Sequence, residues 1–335
     1  MIDQPAGTAS GGDWCVEGAV VTHDPDLERF AAMINSAICQ VRRIIVIDNG
    51  SANVAAIRSL LASLHYVELI ELGDNHGIAA ALNVALTLVQ DGRDVDWLLT
   101  LDQDTVLHER AVSTILDAYA DLDPERRDSC AILAMRHVDI AAIRWPWKWL
   151  DSHNAVPPAS GPLREVRTVI TSGNLLRVDA VAGLRFDEAL FMDQVDMAWS
   201  ALVRRHGWRI FESRQVLMDH RLGTLVTARG RKRRYWGQQR LYYIVRNSSV
   251  LLYRGDLSAA EYTLQLVSHI RTHLWKDGLV AVPRCAITIL IALIDALTGR
   301  MGRREYAFTR QPGISKAVNS ELRGASRRAA SNTDE

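Results

Sequence analysis

The sequence predicts an α/β protein with a mostly parallel central sheet flanked by helices. Short apolar runs alternate with segments whose apolar residues recur every three or four positions, the pattern of strands separated by helices. Four such runs cover residues 16–22, 41–47, 67–72 and 97–101. With 335 residues, 48% of them apolar and 23% charged, the chain has the composition of a globular protein with a large core.

Each further element follows from its local pattern. Helical spacing of apolar residues predicts helices over 27–38, 54–64, 78–89 and 109–119, one after each strand, and a fifth strand over 131–135. Residues 140–165 interrupt the alternation with tryptophans and prolines and predict a loop. A strand entering 171–174, a helix ending near Arg205 and a strand over 208–211 follow, and the remainder has a helical pattern.

Charge divides the chain into two parts, although the total is zero. Residues 1–220 contain 19 Lys/Arg and 31 Asp/Glu, whereas residues 221–335 contain 20 and 8. An acidic part offers carboxylates for metal or acid–base chemistry, and a basic part suits phosphates or an anionic membrane. The apolar stretch 279–297 contains Pro283, Arg284 and Asp295, which favours a core or interfacial helix over a membrane span.

The patterns and shifts in composition predict four regions: a disordered N-terminus over 1–14, an α/β domain over 15–228, a helical, basic and partly apolar region over 229–312 and a disordered tail over 313–335. The N-terminus lacks the pattern of a signal peptide, which predicts a cytoplasmic location. The four cysteines form no C-x-x-C pair, and no zinc or thioredoxin spacing is present.

Polar residues follow each of the first four predicted strands. The strand ends are T-H-D (22–24), D-N-G-S (48–51), D-N-H-G (74–77) and D-Q-D (102–104). Because ligands of open α/β sheets bind at the carboxyl ends of the strands, we expect a site there. The sequence has neither a G-x-G-x-x-G motif after the first strand nor a Walker A loop, which argues against a dinucleotide dehydrogenase and a P-loop NTPase.

Two carboxylates, Asp102 and Asp104, directly follow the apolar strand W-L-L-T-L. Alternate residues of an extended segment point the same way, so both can bind one Mg²⁺ or Mn²⁺ that carries a diphosphate. Asp193 or Asp196 can serve as a general base, and His220 can join the metal ligands. The structural alternatives are a helix cap and turn at 102–104, acidic capping of a helix at 193–196, and an ordinary structural histidine.

Taken in order, these motifs resemble a family-2 glycosyltransferase with the GT-A fold, and more narrowly a bacterial rhamnosyltransferase of O-antigen or rhamnolipid synthesis. The residues that carry the resemblance are V-V-T-H-D-P-D (20–26), I-V-I-D-N-G-S (45–51), I-E-L-G-D-N-H-G-I-A-A-A-L-N (70–83), L-L-T-L-D-Q-D-T (98–105), I-T-S-G-N-L (170–175), F-D-E-A-L-F-M-D-Q-V-D-M-A-W (186–199), M-D-H-R-L-G (218–223) and R-R-Y-W…L-Y-Y-I-V-R-N (233–247). The resemblance covers about residues 16–255.

What the resemblance implies can be placed on this sequence. The donor-binding positions are Thr22, His23, Asp48, Asn75, Gly77, Ile78, Asn83 and Asp102. Asp102, Asp104 and His220 match the metal site, and Asp193, or else Asp196, matches the base. Two positions depart from the family pattern: His23-Asp24 stands where many members have Tyr-Asn, and Asp193-Gln194 where many have Glu-Asp.

The implied reaction is metal-dependent, inverting transfer of L-rhamnose from dTDP-L-rhamnose to a glycan or glycolipid hydroxyl, by an enzyme at the inner face of the cytoplasmic membrane. A family member that uses another nucleotide sugar is the alternative. A different class, a protein that binds nucleic acid or another polyanion through the Arg-rich and aromatic stretch 229–246, is disfavoured because the acidic part would repel such a partner. A nucleotidyltransferase is disfavoured because T-H-D-P-D replaces the Gly/Arg/Lys-rich loop it would need after the first strand. Oligomeric state is left open.

Overall fold

The computed structural model describes residues 14–91, 94–139, 154, 156, 161–220, 224–228 and 230–304. The tail predicted over 313–335, residues 1–13 and most of the predicted loop over 140–165 lie outside these ranges. Trp14 belongs to the folded part, contrary to the predicted boundary, because its ring packs edge-on against Trp97 and Tyr119 at centroid distances of 6.4 and 5.8 Å.

The first four strands are parallel, as the alternating pattern predicts. The elements are β1 (Val16–Thr22), α1 (Leu27–Ala37), β2 (Arg43–Asp48), α2 (Val54–Leu61), β3 (Val67–Glu71), α3 (Ile78–Gln90) and β4 (Trp97–Asp102). Their order in the sheet is β3-β2-β1-β4. Thr22 pairs in register with Asp48, and Val21 with Asp102, so the polar strand ends lie at one edge of the sheet.

The second half of the sheet is mixed. It contains β5 (Val106–Leu107), α4 (Ala111–Ala120), α5 (Pro124–Asp128), β6 (Cys130–Asp139), β7 (Leu163–Val166), β8 (Asn174–Arg177), a 3₁₀ turn (Glu188–Leu190), α6 (Val195–Arg205) and β9 (Arg209–His220). Strand β8 is antiparallel to both β4 and β6, and β6 is parallel to β9. Among the described residues, nine strands form this sheet in the order β3-β2-β1-β4-β8-β6-β9-β5, with β7 beside β9.

The strand predicted to enter residues 171–174 is absent: residues 167–173 form a loop between β7 and β8, and Asn174 begins β8. The Asn154 side chain ties this loop: its Oδ1 accepts hydrogen bonds from the backbone N–H groups of Arg167 and Thr168, and its Nδ2 donates to the Thr168 carbonyl. These bonds take the place of a strand ladder.

The C-terminal part is helical apart from one hairpin. Strands β10 (Thr224–Ala228) and β11 (Arg231–Tyr235) pair antiparallel, followed by α7 (Gln238–Arg254), α8 (Ala259–Asp277), a 3₁₀ turn (Gly278–Val280) and α9 (Ala281–Leu297). The helical pattern assigned to residues 231–235 is therefore wrong, and the turn at Gly230 (φ 70°) allows the hairpin. The compact unit that contains the sheet extends to Gly302, so α7–α9 belong to it.

Both faces of the sheet are covered. Alternate β2 residues, Ile44 and Val46, pack in the cluster formed with α1, α2 and α4, whereas Ile45 and Ile47 pack in the cluster formed with α3 and α6. All four side chains are fully buried. This burial on both faces explains why the second strand is a continuous apolar run instead of an alternating one.

Asn83 connects α3 to the segment that leads into α6. Its Oδ1 accepts from the Phe186 backbone N–H at 2.8 Å, while its Nδ2 donates to the Phe186 carbonyl at 3.0 Å and to Glu188 Oε1 at 2.8 Å. Because both amide N–H groups and the oxygen are engaged inside the protein, Asn83 positions this segment, and the donor contact implied by the resemblance stays a prediction.

We expect Asn83→Ala to lower the free energy of unfolding by about 2–3 kcal/mol, because it leaves the buried Phe186 backbone groups without partners. Urea denaturation measures the loss. Asn35→Ala, on the exposed face of α1, is the matched control and should stay within about 0.5 kcal/mol of the parent. Equal effects of the two substitutions would contradict the role of Asn83.

Candidate active site

The ends of β1 and β2 are joined through Asp48. The Thr22 hydroxyl donates to Asp48 Oδ1 and the Ser51 backbone N–H donates to Oδ2, each at 3.0 Å. Asp48 is 1% exposed. The carboxylate therefore fixes the loop after β2, and contact with a nucleotide stays a prediction for Thr22 and Asp48.

Gln103, the middle residue of D-Q-D, connects β4 to β1. Its Oε1 accepts from the His23 backbone N–H at 2.8 Å and its Nε2 donates to the His23 carbonyl at 3.4 Å. The His23 ring bonds the Asn49 carbonyl through Nδ1 at 3.1 Å. Three strand ends are thus held together, and His23 lies among them.

The N-terminus of α3 is built by a pair of asparagines. Asn75 Oδ1 accepts from Asn49 Nδ2 at 3.2 Å and from the Gly77 backbone N–H at 3.0 Å, and Asn49 Oδ1 accepts from the His76 N–H at 2.9 Å. The Asn75 side chain therefore shapes the turn that begins the helix. A helix N-terminus placed at the strand ends suits a phosphate group.

Gly77 lets this turn approach the segment after the 3₁₀ turn. Its φ is 90°, and a Cβ there would lie 2.4 Å from the Phe191 carbonyl oxygen. The Ile78 backbone N–H donates to that same oxygen at 3.1 Å. A glycine is required here, and it brings the start of α3 against the loop that carries Asp193.

Asp102 and His220 meet across the sheet, with His220 Nε2 3.6 Å from Asp102 Oδ2. The His220 ring is buried and bonds Thr105 Oγ1 through Nδ1 at 2.8 Å. Thr105 Oγ1 in turn bonds Ser172 Oγ, which accepts the Asp102 backbone N–H at 2.9 Å. This chain of hydroxyls holds the imidazole so that Nε2 faces the Asp102 carboxylate.

Burial raises the pKa of Asp102, the nearby imidazole of His220 lowers it, and the charge of Asp104 raises it further. Two carboxylates beside an imidazole nitrogen are a donor set that suits Mn²⁺. Across the part of the chain that the structure describes, no group of three or more His, Cys, Asp or Glu side chains is assembled for a metal. The side chains of Asp102, Asp104 and His220 are chemically suited to a divalent ion. That all three bind the same ion stays a prediction.

The loop before α6 has an unusual backbone. Phe191, Asp193 and Gln194 have φ values of 64°, 57° and 64°, the left-handed region that residues other than glycine seldom occupy. Such conformations persist where the surroundings enforce them, and they concentrate at functional sites. The strain marks this loop as part of the site.

Helix α7 supplies the surroundings that hold the loop. Asn247 Nδ2 donates to the carbonyls of Leu190, Met192 and Asp193, at 3.0, 2.7 and 2.9 Å. The fully buried Arg246 guanidinium also donates to the Leu190 carbonyl, at 3.0 Å. The basic C-terminal part of the sequence thus fixes the backbone of the acidic loop.

Arg240, also on α7, forms an ion pair with the Asp193 carboxylate. Its Nε lies 3.0 and 3.2 Å from the two carboxylate oxygens, and its Nη2 also bonds Oδ1. The Asp193 side chain is 6% exposed. Burial works to lower the pKa of Arg240, but the charges of Asp193, Asp196 and Asp102 raise it. One guanidinium therefore lies within the field of all three carboxylates.

Asp196 lies in the first turn of α6. Burial raises the pKa of its carboxyl from 3.8 to about 6, and the charges of Asp193 and Asp102 also raise it. Its Oδ1 accepts the Met197 backbone N–H at 2.9 Å. Asp196 thus titrates near the working pH of a general base.

The structure brings together most of the residues that the sequence singles out. Asp102 and His220 are in contact, and Thr22, His23 and Asp48 form the adjoining strand ends, with Asn75, Gly77 and Ile78 at the start of α3. The negative charges of Asp193, Asp196 and Asp102 all act on the guanidinium of Arg240, which relates the three carboxylates to one another. The sequence did not predict the roles of Thr105, Ser172, Gln103, Arg240 and Asn247. The features of the sequence that could have indicated some of them are the T-S-G-N motif and the arginines between aromatic residues on α7.

Comparison with known proteins relates the chain to glycosyltransferases. Residues 20–159 match the family model described as glycosyl transferase family 2. The chain is also 25% identical over 267 residues to the dTDP-rhamnosyl transferase RfbF of Shigella flexneri, a match that covers 75% of this chain and 86% of that protein.

Solved structures show the same fold. The mannosyltransferase PcManGT from Pyrobaculum calidifontis, in complex with GDP-Man and Mn²⁺, superposes with a TM-score of 0.50 at 15% identity, over 84% of this chain and 77% of that one. TarS of S. aureus superposes with the same score and identity, over 84% of this chain and 49% of that one.

The raised pKa of Asp196 predicts a pH-dependent effect on stability. Below pH 3.8 the carboxyl is protonated whether or not the chain is folded, and above about pH 6 the folded state holds an ionised buried group at a cost. We expect Asp196→Asn to stabilise the protein by about 1–2 kcal/mol at pH 7.5, with the gain vanishing toward pH 4. Urea denaturation at both pH values measures this, with Asp121→Asn at an exposed site as control. A gain that does not depend on pH would contradict the assignment.

Proposed function

We propose that this chain, which carries a family 2 glycosyltransferase domain over residues 20–159, transfers L-rhamnose from dTDP-L-rhamnose to a hydroxyl group of a glycan or glycolipid. The observation that carries the proposal is the contact between Asp102 and His220 at the carboxyl end of β4. Arg240 interacts electrostatically with both Asp102 and Asp193, which links this contact to the Asp193 loop. The similarity to a dTDP-rhamnosyl transferase supports the choice of donor.

The strand ends suit a nucleotide diphosphate. Its base would lie against the Thr22–Asp48 pair, and its diphosphate between the N-terminus of α3 and Asp102. A divalent cation held by Asp102, Asp104 and His220 would neutralise charge on the departing diphosphate. Arg240 carries a positive charge into the same acidic cluster.

Asp193 is the proposed general base. It takes the proton of the acceptor hydroxyl, whose oxygen attacks the anomeric carbon while the bond from that carbon to the diphosphate oxygen breaks and dTDP leaves. One displacement without a covalent sugar intermediate inverts the anomeric configuration. Asn247 and Arg246 fix the backbone from which this carboxylate projects.

Asp196 is the second candidate for the base. Both Asp193 oxygens accept hydrogen bonds from Arg240, whereas burial raises the pKa of Asp196 to about 6. If Asp193 is the base, the acceptor hydroxyl must share the carboxylate with the guanidinium.

The acceptor proposed is a glycan or glycolipid presented at the inner face of the cytoplasmic membrane, with the enzyme bound there peripherally. The alternative of a polyanion-binding protein is disfavoured by two arginines of the 229–246 stretch. Arg240 is paired with Asp193, and Arg246 is fully buried against the loop backbone. Both guanidinium groups are therefore engaged within the protein, Arg240 by an ion pair and Arg246 by burial.

The donor is tested with a panel of nucleotide sugars, a membrane extract as acceptor source, and analysis of the products. We expect dTDP-L-rhamnose to be consumed at least tenfold faster than UDP- or GDP-sugars, with rhamnose in the product. Preference for another nucleotide sugar would identify the same fold with a different donor. Retention on heparin that weakens steeply with salt, without any transfer, would support a polyanion binder instead.

Metal dependence is tested by binding of dTDP. We expect Mn²⁺ to strengthen dTDP binding and the accompanying thermal stabilisation, and Asp104→Ala to remove most of that gain while metal-free binding is retained. Asp121→Ala is the control. Equal dTDP affinity of the parent protein with and without Mn²⁺ would exclude this role for Asp104.

The base is tested by paired variants. We expect Asp193→Asn to lower kcat by about 10²–10⁴-fold with dTDP binding unchanged, because the amide cannot take a proton although its oxygen can still accept a hydrogen bond from Arg240. Asp196→Asn should stay within about tenfold of the parent. The reverse result in this pair would assign the base to Asp196.

A further inference from the structure

We propose that α9 and the turn before it form a surface that docks on a lipid bilayer with anionic headgroups. Seven of the ten large apolar side chains that are exposed among the described residues lie between 279 and 297. Leu279 in the turn is 84% exposed and Leu297 at the end of the helix is 87% exposed. An apolar surface of this extent marks an interaction site.

The exposed side chains form a stripe along one face of α9. Ile287, Leu290, Ile294 and Leu297 follow one another at intervals of three and four residues, the spacing that aligns side chains on a helix. Leu279 and Val280 extend the stripe past the start of the helix. We call these six residues the apolar face.

The opposite face of α9 is fixed to the protein. Asp295 accepts from the Tyr242 hydroxyl at 2.7 Å, and Thr288 accepts from Gln238 Nε2 at 2.6 Å, both bonds reaching α7. The stretch 259–297 is long and apolar enough to cross a membrane, judged by length and composition alone. Because these buried bonds hold α9 on α7, the helix is placed to lie in the plane of the interface instead.

Basic residues border the apolar face. Arg284 and Arg300 are exposed near the two ends of α9. The backbone of β11, whose sequence contains R-K-R-R (231–234), lies beside the end of α8 and the turn that follows, because Tyr235 packs against His273 with ring centroids 5.0 Å apart. Asp277 is paired with Arg284 at 3.8 Å, and Asp295 is buried.

This charge favours a lipid surface over a second copy of the chain. A two-fold contact through the apolar face would bring the same basic border of two copies together, whereas anionic headgroups attract it. The inference deepens the proposed peripheral location of the enzyme and rests on that part of the proposed function, but it is independent of donor identity.

The test is sedimentation of the full chain with two kinds of vesicle. One is phosphatidylcholine alone, and the other contains about one anionic phosphatidylglycerol in three lipids. We expect binding to the anionic vesicles at least tenfold tighter than to the neutral ones, weakening as salt is raised. A triple variant, Leu279→Ser, Ile287→Ser and Leu290→Ser, should lose at least tenfold in binding. Tyr253→Ser, which changes a 94% exposed side chain outside the apolar face, should bind like the parent.

Thermal stabilisation by dTDP, measured on the same samples, separates the two proposals. Normal dTDP binding without vesicle binding by the parent would overturn the docking surface alone, and vesicle binding without dTDP binding would overturn the donor site alone. Equal vesicle binding by the triple variant would also overturn the surface. So would a dimer of the parent that the triple variant cannot form, observed together with no vesicle binding, because it would show that a second copy covers the apolar face.

Discussion

The bidentate contact between Arg240 and Asp193 is the interaction on which the organisation of this site depends. It joins the C-terminal helix α7 to the acidic loop before α6, and Asn247 and Arg246 on the same helix hold the backbone of that loop. The loop in turn contacts Gly77 and Ile78 at the start of α3. Removing the guanidinium would leave the Asp193 carboxylate, which is 6% exposed, without its ion-pair partner, and this costs more than losing a pair in which both groups are exposed. The opposite charges of the two parts of the sequence are therefore partly structural, since cations of the basic part stabilise the acidic site.

Much of the fold and the layout of the site could be predicted from the sequence. The first four strands and the helices between them follow from local periodicity, which a strand buried on both faces or an Ala-rich helix such as α3 expresses strongly. Parallel pairing then places the residues after each strand at one edge, so the closeness of Thr22, Asp48 and Asp102 needed no further information. The motif order led to the family, which the matching family model supports.

What the sequence could not predict depends on contacts between distant residues. Thr105 reaches His220 across 115 positions, and Arg240 reaches Asp193 across 47. No periodicity encodes such pairs. The same limit applies to Asn83, which bonds Phe186 and Glu188 across 103 and 105 positions. It also explains the β10–β11 hairpin, because a run of arginines and a lysine has no apolar alternation from which a strand could be recognised.

A crystal structure of the protein with dTDP and Mn²⁺ tests the central claim most directly, namely that the strand ends, the start of α3 and the loop held by α7 form one donor site. The account predicts thymine beside Thr22 and Asp48, and the diphosphate at the N-terminus of α3 with the metal bound by Asp104 and His220. A dTDP molecule bound elsewhere on the chain, or a metal that ligates none of these side chains, would contradict it.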